Sequence, residues 1–319
     1  MRDHGGDLDR AQAKFGAGDW LDLSTGINPV PYPVRDLPAR AWAALPTRGE
    51  VAKVEEAARR AFGAEVACVA LAGAQGAIQL VPRLGQRGMA RVIGPTYNEH
   101  AGALRGQGWE VDEVPDLGDL RGAALGVVVN PNNPDGRAWT PEELLEVAGD
   151  VGLLVVDESF ADPMPGLSLL PHLRGQNVLV LRSFGKFFGL AGVRLGFALG
   201  PQDLIDQMRA LAGPWAVGGP ALALGQAALG DRDWQAETRA RLDRDARRMD
   251  QLAAGAGWQL VGGTPLFRTY DAGEAEAAQT ALARHHVWTR VFPYSSGWIR
   301  LGLPGDEPGW QRLEAALAG

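Results

Sequence analysis

The chain has 319 residues, enough for one large domain or two compact ones with a sizeable core. Its 46% hydrophobic and 22% charged content fits neither intrinsic disorder nor a coiled coil. With 31 basic against 38 acidic residues the net charge is -7, and no run of like charge forms a basic stripe, which sets nucleic acid aside as a partner.

Residues 1–10 are polar, carry charges of both signs and lack the apolar core of a secretory signal, so a cytoplasmic protein is expected. Residues 50–62 place Val51, Val54, Ala58, Ala61 and Phe62 at helical spacing and predict an amphipathic surface helix. From 66 to 199 short apolar runs alternate with helical or turn-rich segments, the pattern of a mostly parallel sheet flanked by helices. Strands are expected over 66–71, 91–94, 110–114, 126–130, 153–157, 178–182 and 193–199, with a helix over 75–81. Several are unbroken Val/Leu runs, as in strands covered on both faces. The single cysteine, Cys68, lies between Ala67 and Val69 in the first run and reads as a buried thiol in a reducing compartment.

The uncharged stretch 210–230 is long enough to cross a bilayer, but Pro214, Gly218, Gly219 and Pro220 interrupt it. It is expected to be a loop entering a buried helix, and no membrane association is predicted. Residues 231–256, rich in Arg and Asp, predict a long exposed helix with Trp234, Leu242, Met249 and Leu252 on its apolar face. Short strands expected over 258–261, 266–270, 287–292 and 299–302 make a second, smaller α+β unit. The expected partition is an N-terminal arm over 1–36, a large domain over 37–230 and a small domain over 231–319.

Lysine usage is the sharpest chemical signal. Among 31 basic residues only Lys14, Lys53 and Lys186 are lysines. The first two sit among polar neighbours, whereas Lys186 lies in the apolar, glycine-rich turn Ser183-Phe184-Gly185-Lys186-Phe187-Phe188-Gly189-Leu190. A desolvated amine has a lowered pKa and serves as a nucleophile toward a carbonyl; a loop lysine reaching for solvent is the ordinary alternative. Asp157 ends the strand Leu153-Leu154-Val155-Val156 and would stand where open α/β sheets bind ligands. A protonated pyridine nitrogen would suit such a carboxylate, and so would a metal ion or a helix cap. Gly73-Ala74-Gln75-Gly76 opens a helix after a strand, so its N–H groups suit a phosphate, to which Ser183 and Arg194 would add a hydroxyl and a guanidinium. The tight loop Asn130-Pro131-Asn132-Asn133-Pro134-Asp135-Gly136 offers amides for a cofactor hydroxyl, and Tyr97 a ring for stacking. Arg300 interrupts the apolar run Trp298-Ile299-Arg300-Leu301, as an arginine meeting an anion does.

In this order and over nearly the whole chain, these elements resemble the aspartate-aminotransferase fold family of pyridoxal-phosphate enzymes. The resemblance implies an α/β large domain with a mostly parallel seven-stranded sheet and a smaller α+β domain. It implies that Lys186 forms the Schiff base with pyridoxal 5'-phosphate, Asp157 pairs with the pyridine nitrogen, Asn133 binds the ring hydroxyl and Tyr97 stacks on the ring. Gly73, Ala74, Gln75, Ser183 and Arg194 would hold the cofactor phosphate, Arg300 would receive the substrate carboxylate, and Gly26 matches a small residue near it. A homodimer is also implied.

Within the family, His4-Gly5-Gly6-Asp7-Leu8 and Asp22-Leu23-Ser24-Thr25-Gly26-Ile27-Asn28-Pro29 resemble the threonine-phosphate decarboxylase branch of cobalamin biosynthesis. That branch acts on L-threonine O-3-phosphate, a phosphorylated amino acid, and His4, Ser24, Thr25, Asn28 and Arg300 would grip its phosphate and carboxylate. A histidinol-phosphate-type aminotransferase and a catalytically silent cofactor-binding sensor are the alternatives. Two positions depart from the family pattern. Phe160 stands where Tyr is usual, and Leu45-Pro46-Thr47 replaces the Tyr-Pro-Asp that reaches a neighbouring subunit's cofactor phosphate.

Overall fold

A computed structural model describes residues 4–34 and 36–318. The chain forms two compact units, one from Met1–Pro31, Pro134–Arg137 and Gln235–Gly319 and one from Tyr32–Asn133 and Ala138–Trp234. Strand β1 (Leu21–Asp22) belongs to the first.

The larger unit contains β2 (Ala67–Leu71), β3 (Met89–Ile93), β4 (Glu110–Val114), β5 (Leu125–Val129), β6 (Leu153–Asp157), β7 (Val178–Ser183) and β8 (Gly196–Gly200). They form one seven-stranded sheet in the order β2-β8-β7-β6-β5-β3-β4. Every neighbouring pair is parallel except β8, which runs antiparallel to both β2 and β7. Strands β5, β6 and β8 are buried at every position, which is why their sequences show no polar alternation. Cys68 is 5% exposed on β2, and burial pushes its thiol well above the ordinary value. The strand expected from 193 begins only at Gly196, because Ala191–Val193 is a short helical turn and Arg194 takes φ 56, a left-handed conformation that cannot continue a strand.

The amphipathic helix spans Arg48–Phe62. Thr47 and Glu50 close a reciprocal capping box at its start, and Gly63 at φ 64 ends it. The stretch 210–230 contains the end of helix Gln202–Ala212, a loop, and the uncharged helix Gly219–Gly230, six of whose residues are buried. Among the described residues no helix is long and apolar enough to cross a membrane.

Behind the ends of β6 and β7 lies a buried ion cluster. Arg182 donates to Glu158 Oε2 at 2.8 Å and to Asp162 Oδ1 at 2.7 Å, and its guanidinium lies 4.1 Å from the Phe62 ring centre. Glu158 also accepts from the Ser168 hydroxyl and the Leu169 N–H. Burial nevertheless pushes its carboxyl above the ordinary value, against the pull of Arg182.

In the smaller unit, β9 (Gln259–Thr264), β10 (Phe267–Asp271), β12 (Arg290–Phe292) and β13 (Ser295–Leu301) form an antiparallel sheet in the order β12-β13-β10-β9, while β11 (Val287–Trp288) pairs in parallel with β1. The single strand expected over 287–292 is thus two short strands with different partners, divided at Thr289. The Arg- and Asp-rich helix runs over Arg232–Gly255 and buries Leu242, Ala246, Met249 and Ala253.

Removing one partner of a buried ion cluster leaves the others uncompensated. Arg182→Met, which sets Glu158 and Asp162 against each other, is expected to cost about 3–5 kcal/mol, read from the urea unfolding midpoint. A change within experimental error would show that the cluster contributes nothing to stability.

Candidate active site

The parallel strands β5, β6 and β7 end at one edge of the sheet, so the loops that follow them converge there. The convergence leaves a cavity of ≈ 160 Å³ lined by residues of the larger unit. Gly73, Ala74, Gln75, Tyr97, Asn133, Asp157, Ser183, Lys186 and Arg194 all line it. These nine are the residues for which the sequence predicts cofactor contacts.

Asp157 ends β6 and is 3% exposed. His100 Nε2 lies 2.8 Å from its Oδ2, and the N–H and hydroxyl of Ser159 reach its Oδ1 at 2.9 and 2.5 Å. Burial raises the Asp157 carboxyl, but the hydrogen bond and charge of His100 and the bonds from Ser159 outweigh it and hold the group below its ordinary value. A carboxylate with a depressed pKa contributes stability that is present at neutral pH and lost as pH falls through its folded value. Neither His100 nor Ser159 was identified from sequence. Ser159 carried a usable signal, since Asp-x-Ser closes an Asx-type turn; the position of His100 depends on the packing of the helix Glu99–Gly106.

Lys186 sits in the single helical turn Phe184–Phe187 directly after β7. Phe184, Phe187 and Phe188 are all buried, and Phe188 stacks between Phe184 and Trp234 at centroid distances of 4.5 and 5.7 Å. This aromatic stack fixes the turn while the half-buried lysine faces the cavity, with Nζ 5.5 Å from the Phe160 ring centre.

The anion-binding corner is built from backbone. The helix Gly73–Leu80 starts at the cavity, and the first N–H groups of a helix have no intrahelical carbonyl. Gly73 has φ 74, and a Cβ there would come 2.8 Å from Arg194 Nη2, so only glycine lets the guanidinium lie against this turn. Ser183 closes β7 beside it.

The residues with predicted substrate contacts lie in the smaller unit. Arg300 on β13 is 7% exposed, donates to the Ser24 carbonyl at 2.7 Å and lies 5.2 and 6.0 Å from the ring centres of Phe267 and Phe292. Burial, with the nearby charge of Arg290, lowers its guanidinium to about 10, still a cation at neutral pH. Arg290 is the direct cross-strand partner of Arg300. Like charges directly opposite on a sheet face repel, so the pair is suited to an anion. Sequence reading missed Arg290, although it interrupts an apolar run as Arg300 does.

The remaining residues are held locally. The Ser24 hydroxyl accepts from the Gly6 N–H and bonds Asp22, and Asn28 Oδ1 accepts from Arg241 at 2.6 Å and from the Val30 N–H. Gly26 is buried, Thr25 half-buried and His4 exposed.

Replacing His100 by Ala removes the largest influence holding the Asp157 carboxyl down. The pKa of Asp157 is expected to rise, read from the pH titration of its carboxyl carbon by NMR. An unchanged titration would remove His100 from the account.

The comparisons with known proteins agree with this geometry. The family model for aminotransferase class I and II matches residues 16–316. A threonine-phosphate decarboxylase of Sinorhizobium sp. is 43% identical over 325 residues, covering 99% of this chain and 97% of the relative. That of Pseudomonas aeruginosa is 42% identical over 331 residues, covering 100% and 98%. Among solved structures, histidinol-phosphate aminotransferase from Sinorhizobium meliloti, in complex with pyridoxal-5'-phosphate, superposes with a TM-score of 0.88 at 22% identity, covering 99% of this chain and 94% of that one. L-threonine-O-3-phosphate decarboxylase from Porphyromonas gingivalis gives a TM-score of 0.72 at 18% identity, covering 93% and 98%. The strand order, the cavity and the length of the match lead to one conclusion: the chain belongs to the class I and II aminotransferase family.

Proposed function

We propose that the protein is a pyridoxal-phosphate-dependent lyase that decarboxylates L-threonine O-3-phosphate to (R)-1-aminopropan-2-yl phosphate, a step of cobalamin biosynthesis. The observation that carries this reading is the full-length identity of 43% and 42% to two threonine-phosphate decarboxylases, joined to a cavity whose residues fit the cofactor. The fit rests on two features. Asp157, buried and held ionised, suits a protonated ring nitrogen, and the cradle at Gly73, which a Cβ would fill, suits a phosphate under the Arg194 guanidinium.

When bound, the cofactor supplies an electron sink for the bond broken at the substrate's alpha carbon. Asp157 would keep the ring nitrogen protonated, Tyr97 would cover one face, and Asn133 would bind the ring hydroxyl. Phe160 offers no hydroxyl of its own, which leaves Asn133 as the polar partner there. Gly73, Ala74, Gln75, Ser183 and Arg194 would hold the phosphate. Lys186 Nζ would carry the proton that returns to the alpha carbon once its bond to the carboxylate has broken and carbon dioxide has left. Arg300 and Arg290 would meet substrate anions, with His4, Ser24, Thr25, Gly26 and Asn28 shaping the same region.

The reading includes a cytoplasmic homodimer, with the partition 1–36, 37–230 and 231–319. The exposed side chains of Trp42, Leu45 and Trp215, at 71%, 63% and 58%, support a second copy as the cover of the larger unit. Leu45, which has no hydroxyl, stands where the resemblance places the tyrosine that reaches a neighbouring subunit's cofactor phosphate, so that contact is no part of the proposal.

Incubating the cofactor-loaded protein with L-threonine O-3-phosphate and 2-oxoglutarate tests the reading. Carbon dioxide release without glutamate formation is expected. Glutamate formation without carbon dioxide identifies an aminotransferase, and neither product leaves a silent cofactor-binding protein; either result overturns the decarboxylase.

A further inference from the structure

The mechanism leaves one buried carboxylate beside the cavity without a task. Glu99, 8% exposed, opens the helix Glu99–Gly106, two residues after Tyr97 and one before His100. Gln75 Nε2 donates to Glu99 Oε2 at 2.9 Å, and the Tyr97 hydroxyl donates to Gln75 Oε1 at 3.3 Å. One helical turn therefore reaches two cofactor-facing groups, Asp157 through His100 and Tyr97 through Gln75.

The chemistry of the carboxylate gives this chain a direction. The Glu99 carboxyl oxygen accepts from the amide nitrogen of Gln75, and a primary amide has a donor end and an acceptor end. Glu99 therefore takes the nitrogen of Gln75 and turns the amide oxygen toward Tyr97. The phenol proton is drawn to Gln75, which fixes the tilt of the Tyr97 ring. A glutamine at position 99 accepts or donates equally well, so it holds Gln75 in neither orientation.

We propose that Glu99 is a positioning residue that acts through Gln75 to hold the Tyr97 ring against the bound cofactor. The inference rests on the pyridoxal-phosphate reading above, and its test separates the two.

The test is a double-mutant cycle on the holo-protein, comparing wild type, Glu99→Gln, Tyr97→Phe and the double variant. Cofactor affinity is read by equilibrium dialysis and the setting of the bound ring by visible circular dichroism. Tyr97→Phe keeps the ring and removes the hydroxyl through which Glu99 acts. Glu99→Gln is expected to weaken cofactor binding about tenfold and to diminish the visible dichroism band, while adding no further loss in the Tyr97→Phe background. Equal losses in both backgrounds overturn the proposal by showing that Glu99 acts elsewhere. Unchanged affinity and dichroism in Glu99→Gln overturn it too. If Glu99→Gln does not fold, Glu99→Asp, which keeps the charge and loses the reach, completes the same cycle with the same non-additive outcome expected. Wild-type protein that binds no pyridoxal phosphate overturns the cofactor reading and the relay together, whereas additive losses in a protein that binds it overturn the relay alone.

Discussion

A charge buried at the end of a central strand organises this site. An isolated carboxylate inside a protein costs several kcal/mol of solvation, and Asp157 is buried almost completely. The structure offsets that cost with His100 and with both donors of Ser159, so that the group stays ionised against its own burial. The charge is thus kept available to something inside the cavity. Its neighbours follow from sheet topology, because β5 and β7 flank β6 in parallel and deliver the loop of Asn133 and the turn of Lys186 to the same edge.

The layers around that charge divide the work. Strands of the sheet set the positions of the ends, the Arg182 cluster ties the segment after β6 to the end of β7, and the Phe184–Phe188–Trp234 stack holds the lysine turn from behind. A shared fold hosts many chemistries, and structures as similar as 0.88 and 0.72 in TM-score include both an aminotransferase and a decarboxylase. The architecture therefore shows the fold alone; the family model over residues 16–316 shows the family, and sequence identity over the full length carries the choice of reaction.

Much of this was legible in the residues alone. Unbroken runs such as Leu153–Asp157 are readable as buried strands because no polar position interrupts them, and the scarcity of lysine isolates Lys186. What was hidden depends on tertiary packing. Glu99 and His100 look like ordinary helix-start residues until the helix is placed against the sheet, and the order β2-β8-β7-β6-β5-β3-β4 cannot be read from a linear list of strands. The late start of β8 reflects a single backbone angle, that of Arg194, which an apolar pattern does not encode. Arg290 was within reach of the reasoning that found Arg300, but its significance emerges only when the two stand opposite each other across β12 and β13.

The central claim is that the amine of Lys186 is the group that takes the cofactor. Reduction of the loaded protein with borohydride, followed by peptide mass spectrometry, tests it directly. The account predicts a pyridoxyl group on the peptide containing Lys186 and none on the peptides containing Lys14 or Lys53. A label on either of those two, or on no lysine at all, would contradict it.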